Sequence, residues 1–308
     1  MKKKAIIISI KGYKLTNKER LILSKEKPWG LILFKRNIKT IIQTKYLIQE
    51  IKKLTKDKNF PILIDEEGST VSRLVNIINH NISASYFGNL YSINNKLCVK
   101  IYKKYLNSLC KNLRNIGINI NTIPVLDILR KNTNKVIGVR SFSNKKEIVK
   151  KLGQITVKEC HINKIVAVIK HIPGHGCATL DSHLKMPKVR LNANHLNKND
   201  FFPFKKNKSL FAMTSHIIFK KQDPLNVVTH SKIMINLIRN KIGFKNILIS
   251  DDISMKALKY TLSVNTIKAF KAGCNLVLHC NGKLPEMITV GKNSPIVDNF
   301  ILKKTSQF

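Results

Sequence analysis

Residues 165–176 read Ile165-Val166-Ala167-Val168-Ile169-Lys170-His171-Ile172-Pro173-Gly174-His175-Gly176. The run Ile165–His171 opens on unbroken, mostly β-branched apolar residues, the composition of a strand buried on both faces, as in a parallel sheet. It ends on two ionisable residues and passes into a Pro-Gly-x-Gly segment. That segment joins a helix breaker to two residues that tolerate positive φ, so it is a loop. A buried parallel strand with its polar residues at the C-terminal end is the building unit of an α/β barrel, whose working side chains sit at that end.

Working outward, seven further strand-like runs are Ala5–Ile10, Gly30–Phe34, Pro61–Asp65, Ile118–Val125, Leu210–His216, Asn246–Asp251 and Asn275–His279. Amphipathic segments lie between them, among them Thr40–Lys56, Asn95–Ile116, Lys145–Lys158, Ser231–Lys241 and Met255–Lys271. Thr16 with Glu19 predicts a capping box, Ser143 a helix start and Gly273 a helix stop. The alternation, with no Pro/Gly/Ser-rich linker, predicts a single-domain (β/α)8 TIM barrel over residues 1–308; an open doubly wound sheet is the alternative. Residues 281–308 are weakly patterned, without the strong helical signal expected to close the barrel. Asp65 ends the third run, Lys170-His171 the fifth, His216 the sixth and Asp251-Asp252 the seventh, where a barrel places its chemistry.

The chain carries 56 Lys and Arg against 17 Asp and Glu, a formal charge of +39. Nucleic acid is the first partner such an excess suggests. The lysines, however, form short runs over the whole chain with no basic arm, and the abundance of Ile and Asn beside Lys matches AT-rich codons. Compositional drift therefore accounts for the charge, and no specific nucleic acid is expected. A hydrophobic share of 43% is enough to bury a core. Cys98, Cys110, Cys160, Cys177, Cys274 and Cys280 are scattered without a C-x-x-C pair, which fits a reducing compartment and a cytoplasmic protein. The apolar run Ala5–Ile10 is too short for a secretory signal, and no stretch approaches the roughly 20 apolar residues of a membrane helix.

Three stretches carry chemistry. After the loop at 173–176 comes Asp181-Ser182-His183, in which the carboxylate of Asp181 can fix the tautomer of His183 and raise its basicity as a general acid/base. His171 and His175 have a metal-ligand spacing only on a helix, which Pro173-Gly174 forbids, so no metal and no cofactor are expected. Asp251 and Asp252 follow a buried strand, where acids are costly unless paired or functional. Asp251, nearer the barrel mouth, is the candidate nucleophile for attack on an anomeric carbon, and Asp252 the N-cap of a helix around Met255. In Asp65-Glu66-Glu67-Gly68-Ser69-Thr70-Val71-Ser72-Arg73, Asp65 can accept bonds from adjacent sugar hydroxyls and Arg73 can donate a fork. Arg140 stands in a further Gly-containing loop, Ile137–Ser143.

Taken in order, these stretches resemble the glycoside hydrolases of family 3, and among them the single-domain bacterial β-N-acetylglucosaminidases of cell-wall recycling. The K-H-x-P-G-H-G segment followed by D-S-H is the specific part, and the likeness covers nearly the whole chain. The resemblance implies Asp251 as nucleophile, His183 as acid/base with Asp181 as its dyad partner, and Asp65, Arg73, Arg140, Lys170 and His171 as residues that hold the N-acetylglucosamine ring. It further implies retaining hydrolysis of a terminal β-linked N-acetylglucosamine from an anhydro-muropeptide. A monomer without membrane contact is expected. A neutral His in place of a second carboxylate does not repel an anionic acceptor, so phosphorolysis is compatible with the site. Where the family reads D-Q-E-G-G-R, this chain has Ser69 and Thr70, which predicts a local change of loop backbone. A nucleic-acid or anionic-polymer binder on a barrel scaffold is the competing hypothesis.

Overall fold

The computed structural model describes residues 2–78, 81–180 and 186–306. Eight parallel strands close a barrel: β1 (Lys4–Ile8), β2 (Pro28–Leu33), β3 (Ile62–Ile64), β4 (Ile120–Asn121), β5 (Val166–Ile172), β7 (Phe211–Thr214), β9 (Ile247–Asp252) and β10 (Leu276–Leu278), with β10 pairing back onto β1. All eight strand-like runs of the sequence are barrel strands. The fourth contributes only a two-residue ladder, extended by an isolated bridge from Val125 to Lys170. Beyond the barrel, β6 (Lys188–Val189) and β8 (Ile218–Phe219) form a small parallel pair.

Burial on both faces is what the apolar runs require, and the structure supplies two separate cores. Alternate strand residues, among them Ile7, Trp29, Ile32, Leu63, Val168, Met213 and Ile249, fill the barrel, where Trp29 and Phe211 meet edge to face at 5.5 Å. The others pack outward against the helices. Those helices are α1 (Asn17–Lys25), α2 (Ile41–Thr55), α3 (Ala84–Ile93), α4 (Asn95–Ile116), α5 (Lys146–Ile162), α6 (Ala193–Lys198), α7 (Lys232–Leu237), α8 (Leu262–Ala272), α9 (Leu284–Lys292) and α10 (Asn299–Thr305). None of the described helices is long and apolar enough to cross a membrane.

The capping box forms as its residues require: Thr16 accepts from the Glu19 amide while Glu19 bonds the Thr16 amide at 2.8 Å. Gly273 ends α8 at φ +114°, a conformation in which a Cβ would also meet Ile235. Two expectations are corrected. The segment after β9 is a turn rather than a helix from Met255, and α8 starts only at Leu262, where Thr261 caps it. Asp252 caps that turn instead, taking both the amide and the hydroxyl of Ser254. Residues 281–308, weakly patterned in sequence, carry α9 and α10. Pro285 starts α9, and Asp298 caps α10 by accepting from the Ile301 amide. Val297 and Ile301 then seal the N-terminal end of the barrel, tied to β1 by Ala5 N–H to Pro295 O and Val297 N–H to Lys3 O.

Candidate active site

At the C-terminal ends of the strands lies a cavity of about 480 Å³ lined by Asp65, Glu67, Arg73, Arg140, Lys170, His171, His175, Asp251 and Asp252, with Phe34, Lys135 and Cys280 also on its wall. Six of the eight residues singled out in the sequence therefore meet in one place. The other two, Asp181 and His183, lie outside the described residues.

Lys170 is the hub. Pairing of β5 with β7 shifts register between Lys170 and Ile172, an irregularity of the kind that re-aims side chains at a strand end. The Lys170 ammonium reaches Glu67 Oε1 at 2.6 Å, Thr122 Oγ1 at 2.9 Å and Asp65 Oδ1 at 3.1 Å. Thr122 donates to Asp65, and Arg73 stands 3.4 Å from the other Asp65 oxygen. Arg140 grips Glu67 with two bonds, Nε to Oε2 at 2.7 Å and Nη2 to Oε1 at 2.9 Å. Burial alone would raise both carboxyl pKa values. Lys170 and Arg73 outweigh it and hold Asp65 well below the usual carboxylate range, while Arg140 and Lys170 hold Glu67 at about 2. Glu67 in turn pushes Arg140 upward despite its burial. Glu67 was quoted in the sequence without a role, yet it ties two of the expected ring-holding cations together.

His171 is oriented by a residue 44 positions away. Its Nδ1 lies 2.7 Å from Asp127 Oδ2, and an acceptor-only carboxylate requires that nitrogen to carry a proton, which orients the ring. Asp127 also takes the amides of His175 at 2.6 Å and His171 at 3.3 Å, pinning the loop after β5. Burial would raise its pKa, but His171 and His175 pull it down. The loop needs both of its glycines. Gly174 has φ +136°, and a Cβ on Gly176 would lie 1.9 Å from Ile128 O. Asp127 follows the strand-like run Ile118–Val125, but its partnership with His171 is tertiary and carries no local signal.

Asp251, the penultimate residue of β9, stands on the cavity wall, and its Oδ1 accepts the Asp252 amide at 2.8 Å. Among the described residues, no group of three or more His, Cys, Asp or Glu is placed to hold a metal ion; His171 and His175 meet only edge to face, with ring centroids 5.6 Å apart. Ser69, in place of the usual glycine, adopts φ +51°, a left-handed conformation that glycine takes at lower cost.

Burial holds the His175 imidazole down to about 4, against the upward pull of Asp127 and Asp251. An unfolded chain therefore takes up a proton near pH 6.5 that the folded chain refuses until about pH 4. Stability should fall as pH drops through that window, by on the order of 3 kcal/mol. Urea midpoints at pH 7, 5.5 and 4.5 test this, with a His175→Phe variant expected to show a flatter dependence. Parallel curves for the two proteins would exclude His175 as the source.

The sequence matches the model of the glycosyl hydrolase family 3 N-terminal domain over residues 2–303. The chain belongs to glycoside hydrolase family 3. Among its relatives is the β-hexosaminidase of Thioalkalivibrio sulfidiphilus, 30% identical over 281 residues that make up 90% of this chain and 80% of that protein. The crystal structure of native NagZ from Neisseria gonorrhoeae is similar with a TM-score of 0.90 at 28% identity, covering 100% of this chain and 90% of that one. The complex of that NagZ with N-trifluoroacetyl-D-glucosamine gives 0.89 at 28% identity over the same shares. This family 3 glycoside hydrolase thus keeps its polar residues at the strand ends where the barrel architecture leads one to look.

Proposed function

We propose that this family 3 member is a retaining β-N-acetylglucosaminidase that removes terminal non-reducing β-linked N-acetylglucosamine from anhydro-muropeptides, as a cytoplasmic monomer of one domain. Its type, a glycoside hydrolase of β-N-acetylhexosaminidase class, follows from the family and from curated relatives aligned over 90% of the chain. The observation that carries the finer assignment is the convergence of Asp251 with Asp65, Arg73, Arg140, Lys170 and His171 around a single cavity.

In this assignment Asp251 attacks the anomeric carbon as the bond to the aglycone oxygen breaks, and His183 gives that oxygen its proton. Asp181 accepts a hydrogen bond from the other His183 nitrogen. Water, losing a proton to His183, then attacks the glycosyl-enzyme and frees the sugar with net retention. Asp65 accepts from ring hydroxyls, while Arg73, Arg140 and Lys170 donate. With an uncharged imidazole at the acceptor side, phosphate can replace water in the second step without meeting a second carboxylate.

Incubation with a disaccharide of N-acetylglucosamine and anhydro-muramic acid, with and without phosphate, tests the assignment. Free N-acetylglucosamine in both conditions is the expected result. A sugar phosphate formed when phosphate is present would identify a phosphorylase, and an intact disaccharide in both would reject the proposed substrate.

A further inference from the structure

We infer that His216 is a positioning residue that fixes the strand end carrying Asp251, an inference that rests on Asp251 being the nucleophile. His216 lies two residues beyond β7 and is fully buried, as are Thr214 and Thr229. Its Nε2 is 3.0 Å from the backbone carbonyl of Asp252, and its Nδ1 is 2.8 Å from Thr229 Oγ1. Thr229 is also 2.8 Å from Thr214 Oγ1.

Chemistry gives this chain a direction. A carbonyl oxygen only accepts, so Nε2 carries the hydrogen and donates it to Asp252. In the neutral form of the ring Nδ1 is bare and accepts from the Thr229 hydroxyl, which also faces the Ser215 carbonyl at 3.3 Å, and Thr229 in turn accepts from Thr214. The Asp252 carbonyl thereby selects one tautomer, the two threonine hydroxyls complement it, and that tautomer reaches across from the β7 side to the end of β9. Thr229 sits in the 3-10 turn Val228–His230, outside the cavity, so the hydroxyls act through His216 and touch no substrate.

The carbonyl that His216 holds belongs to the residue that orients the nucleophile. Asp252 donates its amide to Asp251 Oδ1 at 2.8 Å. Its side chain takes the Ser254 amide at 3.0 Å and the Cys280 amide at 3.2 Å. The amide, carboxylate and carbonyl of Asp252 are all engaged, and only the carbonyl is held by a side chain from a different barrel strand connection. The same carbonyl accepts the Met255 amide at 3.1 Å, and Ile253 donates to Leu278 O at 3.0 Å, so the backbone ties of this segment run within its own turn and toward β10. His216 adds the side-chain tie from the β7 side, and losing it loosens the segment after Asp251 relative to the ring-holding residues on β3 and β5. A misplacement on the order of 1 Å at a reacting centre costs about 100-fold in rate.

The test compares His216→Leu, which removes both ring nitrogens, with His216→Gln, whose amide nitrogen can donate from near the Nε2 position. Steady-state constants are measured with aryl β-N-acetylglucosaminides, together with the single-turnover rate of glycosyl-enzyme formation from a dinitrophenyl glycoside. The Leu variant should lose about 100-fold in kcat and in the single-turnover rate with KM within about threefold, and the Gln variant should recover most of the loss. A Leu variant within about threefold of wild-type kcat overturns the inference, and so does a loss that Gln fails to recover. If the Leu variant does not fold, Thr229→Val decides: about a tenfold fall in kcat at unchanged KM supports the inference, and wild-type kcat overturns it. Asp251→Ala is run alongside. Activity in that variant would remove the nucleophile assignment itself, a failure distinct from an unaffected His216 variant.

Discussion

Asp251→Ala is expected to lower kcat for a chromogenic β-N-acetylglucosaminide by roughly 10⁴-fold or more, with KM changed only a few-fold. The separation follows from the layout of the cavity. Asp251 comes from β9, whereas Asp65, Arg73, Arg140, Lys170 and His171 come from β3, β5 and the loops after β3 and β4. Removing one carboxylate from β9 leaves that binding group and its ion pairs intact, so the substrate still docks and the bond-making step is lost. Azide at high concentration should restore turnover by entering the space vacated by the carboxylate. Its product would be the α-glycosyl azide, because the attack then happens once instead of twice. A variant within about tenfold of wild-type kcat would exclude Asp251 as nucleophile.

Glu67→Gln should cost about 3–5 kcal/mol of folding free energy and raise KM sharply. In the native site Glu67 is almost fully buried between Arg140 and Lys170, themselves 11% and 3% exposed in their side chains. A neutral amide leaves two buried cations facing a single carboxylate, Asp65. The pH dependence provides an internal control. Glu67 has a depressed pKa, so its contribution is complete above about 4.5 and vanishes as pH falls through about 2. The stability gap between wild type and variant should therefore be widest at neutral pH and close between pH 4.5 and 2. Urea midpoints that coincide at pH 7 would show that the cluster is held by something other than this carboxylate.

Most of the fold was legible in the sequence because a parallel barrel strand must be apolar on both faces, and eight such runs stand out from a chain rich in lysine. The loop after β5 was legible for a related reason, since Pro173, Gly174 and Gly176 allow little but a turn. What escaped depended on distance or brevity. The bonds from Asp127 to His171 and from Glu67 to Arg140 join residues 44 and 73 positions apart, and no local pattern announces such a pair. The strands β6 and β8 have two residues each, too few for a period to show. The turn at 253–260 reads as helix because Met255, Leu258 and Leu262 are spaced like a helical face, although Asp252 and the late cap at Thr261 hold the backbone otherwise. Likewise α9 and α10 are short, and their ends are set by Pro285 and Asp298 more than by amphipathic spacing.

The seal at the N-terminal end of the barrel bears on how the protein can be handled. Lys3 and Pro295–Val297 share backbone bonds there, and Lys304 reaches Asn246 just ahead of β9. Both described extremities of the chain thus emerge at the floor of the barrel, a full strand length from the mouth through which a sugar enters. A surface anchor, fluorophore or fused reporter attached at either extremity leaves the route of substrate traffic open, and joining the two by a short linker would give a ring-closed chain with its entrance unobstructed.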